Sequence, residues 1–405
     1  MSFSSKNISA LIRDSRVRNI GFQVIITLAL CFSVWWLIDN TLTNLGNRGK
    51  SLGFGFLTQT AGFEISDTLG TWLFDYKVGV SSYTDIYFIG VTNTLLIAIL
   101  GIFFASIIGF TVGIMRLSNN IILKYFATIY VEFIRNIPLL LQLFFWYFAV
   151  LGLLPNARSK LDIFWGLGGL NITGLYIPAP VFENGFGYVI SAFVAAVFAS
   201  FLIAKYSNRK RDKSGQGLKL IFIIPSLLII APGTIFVIAG NPLDWSLPLF
   251  KETGPIFKRG FQGDNGMVLV PEMLAVLLAL TLYTAGFIAE IVRAGILAVS
   301  KGQTEAAHSL GLRSGITLRL VVIPQAMRII IPPLTSQYLN LTKNSSLAVA
   351  IAYPELVSIF AGTALNQVGK EIEMIFMVMT TYLIFSLITS LFMNWFNAKV
   401  KIVER

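Results

Sequence analysis

Long apolar stretches separated by short polar segments dominate this chain. About eight of the stretches approach the roughly 20 residues that an α-helix needs to cross a bilayer. They lie at residues 20–38, 90–115, 126–152, 188–205, 218–239, 270–292, 330–352 and 374–396. The pattern predicts an all-α, polytopic membrane protein with about eight transmembrane helices.

Composition supports this prediction and removes one alternative. Of the 405 residues, 55% are hydrophobic and 13% are charged, which is more apolar side chain than a soluble domain needs. The net charge of +11 would suit nucleic acid if the basic residues shared one face of a soluble domain. They flank the apolar stretches instead, so we interpret them as topology signals in a lipid environment and expect no nucleic-acid partner.

Lysine and arginine also predict the orientation, because they are enriched in cytoplasmic loops. Basic residues precede the first stretch and fill the link between the fourth and fifth, and an even number of spans then places both termini in the cytoplasm. Some basic residues lie in the predicted external segments and disagree mildly with this orientation, but long translocated loops follow the rule poorly. The first group is Lys6, Arg13, Arg16 and Arg18, the second is Lys205, Arg209, Lys210, Arg211 and Lys213, and the dissenters include Arg48, Lys50 and Lys77.

Several kinds of chemistry are not expected in this chain. Cys31 is the single cysteine and His308 the single histidine, so we expect no disulfide, cysteine cluster or histidine-rich metal site. No Ser-His-Asp or paired-carboxylate arrangement predicts a catalytic residue. The segment NRGKS at residues 47–51 resembles the end of a phosphate-binding loop, but Asn44 stands where that loop needs glycine. An ATP site is therefore not predicted, and neither is an enzyme.

The most informative segment is EAAHSLGLRSGITLRLVVIP, at residues 305–324 between two apolar stretches. We predict a short surface helix with Glu305 in its first turn and Gly311 at its C-terminal cap. Ala306 and Ala307 would let another backbone approach closely. Pro324 follows where a proline costs little, near the start of the next helix. The segment has the properties of a docking surface.

The spacing of this segment resembles the EAA signature of ABC importer permeases. That signature is Glu-Ala-Ala, three residues, Gly, nine residues and Ile-x-Leu-Pro, and here Val321 and Ile323 replace Ile and Leu. The resemblance implies a type I, MetI-like permease core whose loop forms the coupling helix held by a cytoplasmic ATPase. The implied ATPase-coupling residues are Glu305, Ala306, Ala307 and Gly311. Bound ATP and Mg would belong to the partner ATPase, and this chain would hold no cofactor.

Two further segments resemble parts of amino-acid-type permeases. YVEFIRNIPLLLQLFFWYF, at residues 130–148, resembles a segment early in their core, and implies gate or boundary roles for Glu132, Arg135 and Asn136. The alternative is that Glu132 and Arg135 simply pair at the membrane boundary. TAGFIAEIVRAGI, at residues 284–296, resembles the helix before the coupling loop. There, Glu290 and Arg293 are spaced for a local ion pair.

LTKNSSLAVAIAYPEL, at residues 341–356, resembles a Lys-Asn-Thr/Ser-Ser-Leu stretch of permeases for polar amino acids. A lysine at the bilayer centre costs roughly 2.5–3.5 kcal/mol on insertion scales, so Lys343 should face protein or water and not lipid. A polar stripe around it is our candidate translocation path; interhelical hydrogen bonding is the alternative. The stripe comprises Gln337, Asn340, Lys343, Asn344, Ser345 and Ser346.

The resemblance divides the chain into a permease core and additions. We predict an N-terminal tail, span and external loop at 1–88, core at 89–152, inserted loops and two extra spans at 153–269, and core again at 270–398 with the coupling loop at 300–324. The added length resembles the general L-amino acid branch of the family.

The resemblance implies an inner-membrane permease subunit of a bacterial ABC importer for polar or general L-amino acids. Its implied partners are a second, different but homologous permease, an ATPase dimer and a periplasmic amino-acid-binding protein. The alternative is an ion-coupled secondary carrier. Such carriers usually show matching halves with broken helices, and no matching halves are evident in this sequence.

Overall fold

The computed structural model describes residues 15–47, 52–255, 259–263 and 265–400, with only the backbone at residues 16, 17, 212 and 213. Within these residues, seven helices are long and apolar enough to cross a membrane, and an eighth span results if a sharply bent pair counts as one. The predicted all-α class with about eight spans is therefore confirmed. Some residues used to predict the topology lie outside the described ranges, namely Lys6, Arg13, Arg48 and Lys50, as does most of the NRGKS segment.

The N-terminal part contains two long helices and a shorter segment between them. Helix α1 (Ser15–Asn47) is exposed along nearly its whole length. A 3₁₀ turn at Gly55–Thr58 and the short helix α2 (Leu69–Leu73) follow, and both pack on the first turns of α3 (Tyr83–Met115). The segment before α3 is thus attached to the core.

Side-chain caps fix the starts of α2 and α3. Thr68 accepts a hydrogen bond from the backbone N–H of Thr71, and the Thr71 hydroxyl accepts one from the N–H of Thr68 in return. Ser82 and Asp85 form the same reciprocal arrangement at α3. Such capping boxes satisfy N–H groups that have no partner inside the helix.

The third predicted span is broken. Helix α4 (Ile121–Asn136) and the next segment, residues 139–153, meet at an angle of 107°. This segment begins as helix α5 (Leu139–Phe144) and continues in a wider π-helical turn. The cause of the break is Pro138, which disfavours helical backbone at Ile137, and Ile137 is indeed extended with φ −104° and ψ 131°. The predicted span at 126–152 thus consists of two helical segments that are joined by a sharp bend.

The inserted region contains short strands that the apolar pattern did not predict. They are β1 (Leu161–Ile163), β2 (Gly168–Asn171), β3 (Gly174–Ile177), β4 (Ala179–Phe182), β5 (Leu243–Ser246), β6 (Phe250–Lys251), β7 (Gly260–Phe261) and β8 (Met267–Leu269). An antiparallel sheet has the order β1-β2-β3-β8, while β4 pairs with β5 and β6 with β7. Because β8 leads directly into the next core helix, the sheet is joined to the helical core.

Two extra spans form a hairpin between β4 and β5. Helices α6 (Phe186–Ser214) and α7 (Leu220–Ile238) pack mainly on each other. The two strands that hold the hairpin pair with Phe182 opposite Leu243. The hairpin is thus connected to the rest of the chain by a two-stranded ribbon.

Helix α8 (Pro271–Leu297) is the centre of the helical core and the most buried span. It packs along α3, where glycines allow a close approach. A Cβ atom on Gly109 would lie 2.6 Å from Cβ of Ile288, and one on Gly113 would lie 2.8 Å from Cβ of Val292. Small residues at such positions let membrane helices pack backbone to side chain without a gap.

The C-terminal part follows α8 with three short helices and two further spans. Its helices are α9 (Lys301–Ser309), α10 (Ser314–Thr317), α11 (Ile323–Asn344), α12 (Leu365–Val368) and α13 (Glu371–Val400). Helix α11 packs on α8 and α13, and together with residues 314–322 it forms a longer span than the predicted 330–352. The extension arises because the polar residues before residue 330 stay helical.

Candidate functional site

The predicted short helix between α8 and α11 is present as α9. Glu305 and Ala306 are exposed, whereas Ala307 is 4% exposed and faces the chain. Glu305 is the fifth residue of the helix, so the prediction that it lies in the first turn is wrong, and the helix starts earlier, at Lys301. The outward face therefore offers a carboxylate and a small side chain, and Ala307 anchors the opposite face.

Gly311 ends this helix in the left-handed region, with φ of +76°. Its N–H bonds to the carbonyl of His308 at 2.9 Å, and the N–H of Leu312 bonds to that of Ala307 at 3.1 Å. This pair of bonds is a Schellman motif, which satisfies carbonyls at a helix end and favours glycine at this position. The predicted role of Gly311 as the helix cap is confirmed.

Two side-chain contacts fix α9 relative to the following segment. The amide of Gln325, near the start of α11, donates to the side-chain oxygen of Gln303 at 3.1 Å. Nδ1 of His308 lies 3.0 Å from the carbonyl oxygen of Leu312, and the imidazole is exposed. A displacement of α9 would therefore be transmitted to α11.

A network of five charged residues joins α3, α4 and α8 at one end of the bundle. Arg116, which is 9% exposed, binds Glu290 and lies 3.7 Å from Glu132. Glu290 also binds Arg293 at 2.8 Å and approaches Arg135 at 3.9 Å. The predicted Glu290–Arg293 pair is confirmed. Glu132 pairs across helices with Arg116 and not with Arg135.

Asn136, the third member of the predicted gate or boundary set, stays on its own helix. Its amide donates to the carbonyl of Glu132 at 2.6 Å. Arg135 lies over the ring of Phe287, 5.3 Å from the centroid, in a cation–π arrangement. The sequence did not single out Arg116, because an arginine directly after an apolar stretch is ordinarily interpreted as a topology signal.

Four of the predicted path residues form an outward stripe on α11. Asn340 and Lys343 are exposed, and Gln337 and Asn344 are half-buried. Within the described residues, none of these four side chains makes a hydrogen bond or an ion pair. The neighbouring Tyr338, in contrast, faces inward and shares a hydrogen bond with Ser106 of α3 at 2.7 Å. The stripe is thus not used for interhelical bonding inside the chain.

Ser345 and Ser346 are placed differently from the other four. Ser345 is fully buried and donates to the carbonyl of Thr342 at 2.7 Å, and Ser346 donates to that of Lys343 at 2.8 Å. Both belong to a 3₁₀ segment, Ser345–Ile351, that continues α11. Their hydroxyls therefore bond to backbone carbonyls at the C-terminal end of α11.

The segment that follows is bound to α3 by buried polar contacts. Asn93 donates to the carbonyl of Pro354 at 2.7 Å, and Thr94 accepts from the N–H of Leu356 at 3.1 Å. Glu355, also fully buried, accepts from the backbone N–H groups of Val357 and Ser358 and from the hydroxyl of Tyr382. In the sequence, the only indication of these buried contacts was the polar pair Asn93 and Thr94 within an apolar stretch.

The fold and these contacts define a multi-pass helical membrane protein with one short, exposed helix between its central spans. The model of the binding-protein-dependent transport system inner membrane component matches residues 101–402, and the chain belongs to this family. It is therefore a permease subunit of an ABC importer in the inner membrane. Family membership decides against the ion-coupled carrier.

Three relatives cover nearly the whole chain. YhdX of Escherichia coli (strain K12), named as an amino-acid ABC transporter permease protein, is 49% identical over 95% of this chain and 94% of its own length. The general L-amino acid transport system permease protein AapQ of Rhizobium johnstonii is 46% identical over 97% and 94%. The glutamate/glutamine/aspartate/asparagine transport system permease protein BztB of Rhodobacter capsulatus is 37% identical over 98% and 97%. The similarity includes the inserted region.

Proposed function

We propose that this chain is the permease subunit of an ATP-driven importer for general and polar L-amino acids. Support comes from the names of AapQ and BztB, which are similar to this chain over nearly their full lengths, including the insertion. The cargo would arrive from a periplasmic amino-acid-binding protein. The second permease would be a different, homologous chain, since this one carries segments that a minimal permease does not need.

The observation that carries the coupling mechanism is the geometry of α9. It presents Glu305 and Ala306 outward, is anchored by Ala307 and ends in a fixed turn at Gly311. A rigid, short helix whose outward face carries one carboxylate and one small side chain fits a groove on a partner protein. We assign that partner as the ATPase dimer, which binds ATP and Mg, while this chain binds neither.

The orientation follows from the basic residues near the ends of α6 and α7. Lys205, Arg209, Lys210, Arg211 and Lys219 lie at the end of the hairpin that we place in the cytoplasm. With that end inside, α9 lies on the same side as the ATPase, and both termini are cytoplasmic. The five-residue charge network around Glu290 then lies at the cytoplasmic boundary, where its bonds join α3, α4 and α8 and can change when the permease opens.

The polar stripe on α11 is the proposed route for the solute. Because Gln337, Asn340, Lys343 and Asn344 have no partners within the described residues, they are available to water, to the second permease or to a zwitterion. The ammonium group of Lys343 complements a carboxylate. ATP-driven closure of the ATPase dimer would draw the two coupling helices together, open the route outward and admit the amino acid, which is released inside after hydrolysis.

The test uses Gly311, whose backbone requires a left-handed conformation but whose surroundings are open, with no atom within 4 Å of an added Cβ. Gly311→Val disfavours that conformation by roughly 1–2 kcal/mol, and Gly311→Asn tolerates it better. We expect valine to uncouple ATP hydrolysis from uptake while the chain remains inserted, and asparagine to retain most coupling. Equal uptake by both variants and the wild type would contradict the coupling role. A bound ATPase that is lost on altering Glu305 would confirm the docking.

A further inference from the structure

A cleft of about 360 Å³ opens near the N-terminal end of α8, at the opposite end of this helix from α9. One wall is formed by residues 67–76, around α2, and the other by Tyr176 of β3, Ala179 of β4 and residues 262–263 and 265–268. An apolar cavity of about 190 Å³ adjoins it and reaches α3 and α8. The cleft therefore lies where the N-terminal segment, the insertion and the core meet.

The charge of this cleft is negative. Asp67 and Asp75 lie on its wall, and no lysine, arginine or histidine of the described residues lines it. Asp67 is exposed and has no partner among those residues. Asp75 pairs with Lys77 at 2.6 Å, but both side chains are largely exposed and such surface pairs contribute little. Asp75 also has a positive φ of 44°, a backbone conformation that aspartate adopts in turns such as this one after α2.

Aromatic rings stand beside the carboxylates. Trp72 is 48% exposed, and Tyr176 stacks on Phe261 with ring centroids 3.9 Å apart. Burial, and to a smaller extent Tyr83, raises the pKa of Tyr76, whose hydroxyl donates to the carbonyl of Phe63 at 2.5 Å. Rings next to carboxylates suit ammonium and guanidinium groups, and tryptophan and tyrosine are enriched at the centres of protein interfaces.

The wall around α2 is connected to residues 352–356, which follow the polar stripe in the chain, through one buried side chain. Asn93 accepts from the N–H of Gly70 at 3.0 Å and donates to the hydroxyl of Thr68 at 3.0 Å and to the carbonyl of Pro354 at 2.7 Å. A Cβ atom on Gly70 would lie 2.8 Å from the carbonyl oxygen of Ile89, so α2 sits directly on α3. Movement of the wall would be transmitted to residues 352–356.

We propose that this outer cleft is the surface on which the periplasmic binding protein seats basic side chains, and that Asn93 relays the contact to residues 352–356. The proposal rests on the proposed function, which supplies the partner and the orientation. A protein partner fits because the cleft is open, acidic and aromatic, and because its two walls belong to different parts of the chain. A partner held between them would fix the position of the insertion against the core.

The experiment measures ATP hydrolysis by the complete complex in lipid nanodiscs against the concentration of the amino-acid-binding protein that stimulates the wild type. For the double variant Asp67→Asn with Asp75→Asn, we expect about tenfold more binding protein at half-maximal stimulation, with basal hydrolysis unchanged. The matched control replaces Glu183 by Gln and Asp244 by Asn, two exposed acidic residues outside the cleft. This control should have the same half-maximal concentration as the wild type. High salt should raise the half-maximal concentration of binding protein more for the wild type than for the double variant, because salt screens the attraction to the two carboxylates.

The relay predicts a different change for Asn93→Ala, namely lower maximal stimulation at an unchanged half-maximal concentration. Thr94→Val, which keeps the side-chain shape but loses the bond from Leu356, should act similarly if Asn93→Ala fails to fold. If the half-maximal concentration for the double variant equals that of the wild type, the cleft assignment is wrong and the proposed function remains intact. If free lysine binds the wild type but not the double variant, and stimulation is unshifted, the cleft is a small-cation site and the docking proposal is wrong. No stimulation of the wild type would refute both proposals.

Discussion

The contact between Gly295 of α8 and Ile330 of α11 permits a quantitative test of the packing on either side of α9. A Cβ atom on Gly295 would overlap Cγ1 of Ile330 and lie 3.1 Å from its Cδ1, and Ile330 is 2% exposed. Gly295→Ala must therefore displace a well-packed side chain. The expected cost of such overpacking is about 1–3 kcal/mol.

Ile330→Ala removes both atoms that the new methyl group would meet. Alone, it should destabilise the protein by about 2–5 kcal/mol, because it leaves a cavity. When both substitutions are combined, the methyl group added at position 295 occupies part of this cavity and no longer meets the longer side chain. The double variant should therefore be more stable than the two single effects predict, by at least about 1 kcal/mol.

The assay is unfolding by SDS titration in mixed micelles, followed by far-UV circular dichroism, for the four proteins of the cycle. Gly233→Ala in α7 is the matched control, because no atom lies within 4 Å of its added Cβ. It should be neutral or stabilising by up to about 1 kcal/mol through helix propensity. Single effects that add within about 0.5 kcal/mol would refute the close contact between α8 and α11.

Three further predictions follow from contacts described above. Lys343→Met should abolish uptake without lowering the amount of inserted protein, since a charge costing roughly 2.5–3.5 kcal/mol in the membrane is removed; transport in proteoliposomes and quantitative blotting check this. Arg116→Met should destabilise the chain by about 2 kcal/mol, between values for exposed and buried ion pairs, whereas Arg116→Lys should retain part of the bond to Glu290; a melting curve in detergent distinguishes them. Replacing residues 183–242 by Asn-Gly should close β4 and β5 as a simple hairpin and leave complex assembly intact, as measured by co-purification.

The sequence predicted the membrane spans because their apolar length is a local property. It missed their ends where polar residues continue a helix, as at the basic end of α6, which reaches Ser214. Pro138 was visible, but the 107° bend that follows depends on the packing of α4 and α5 around it. The short strands of the insertion were also missed, since they are held by partners far away in the chain, such as β3 with β8.

The same distinction applies to the candidate site. The C-terminal end of α9 follows from a local motif, so Gly311 was predicted correctly, whereas the start of the helix at Lys301 was not. Arg116 and Glu290 are 174 residues apart, and Asn93 and Pro354 are 261 apart, so only the folded chain brings them together. Burial within the fold, and not the spacing, separates Ser345 from the exposed Lys343.

Helix α1 is exposed along nearly its whole length, and it carries Cys31, the only cysteine of the sequence, on this surface. A maleimide dye or spin label would therefore attach at one position in the natural sequence, without any substitution. Because α1 offers its surface to lipid or to another subunit, such a label reports which of the two surrounds it. The chain thus contains its own spectroscopic probe for assembly of the transporter.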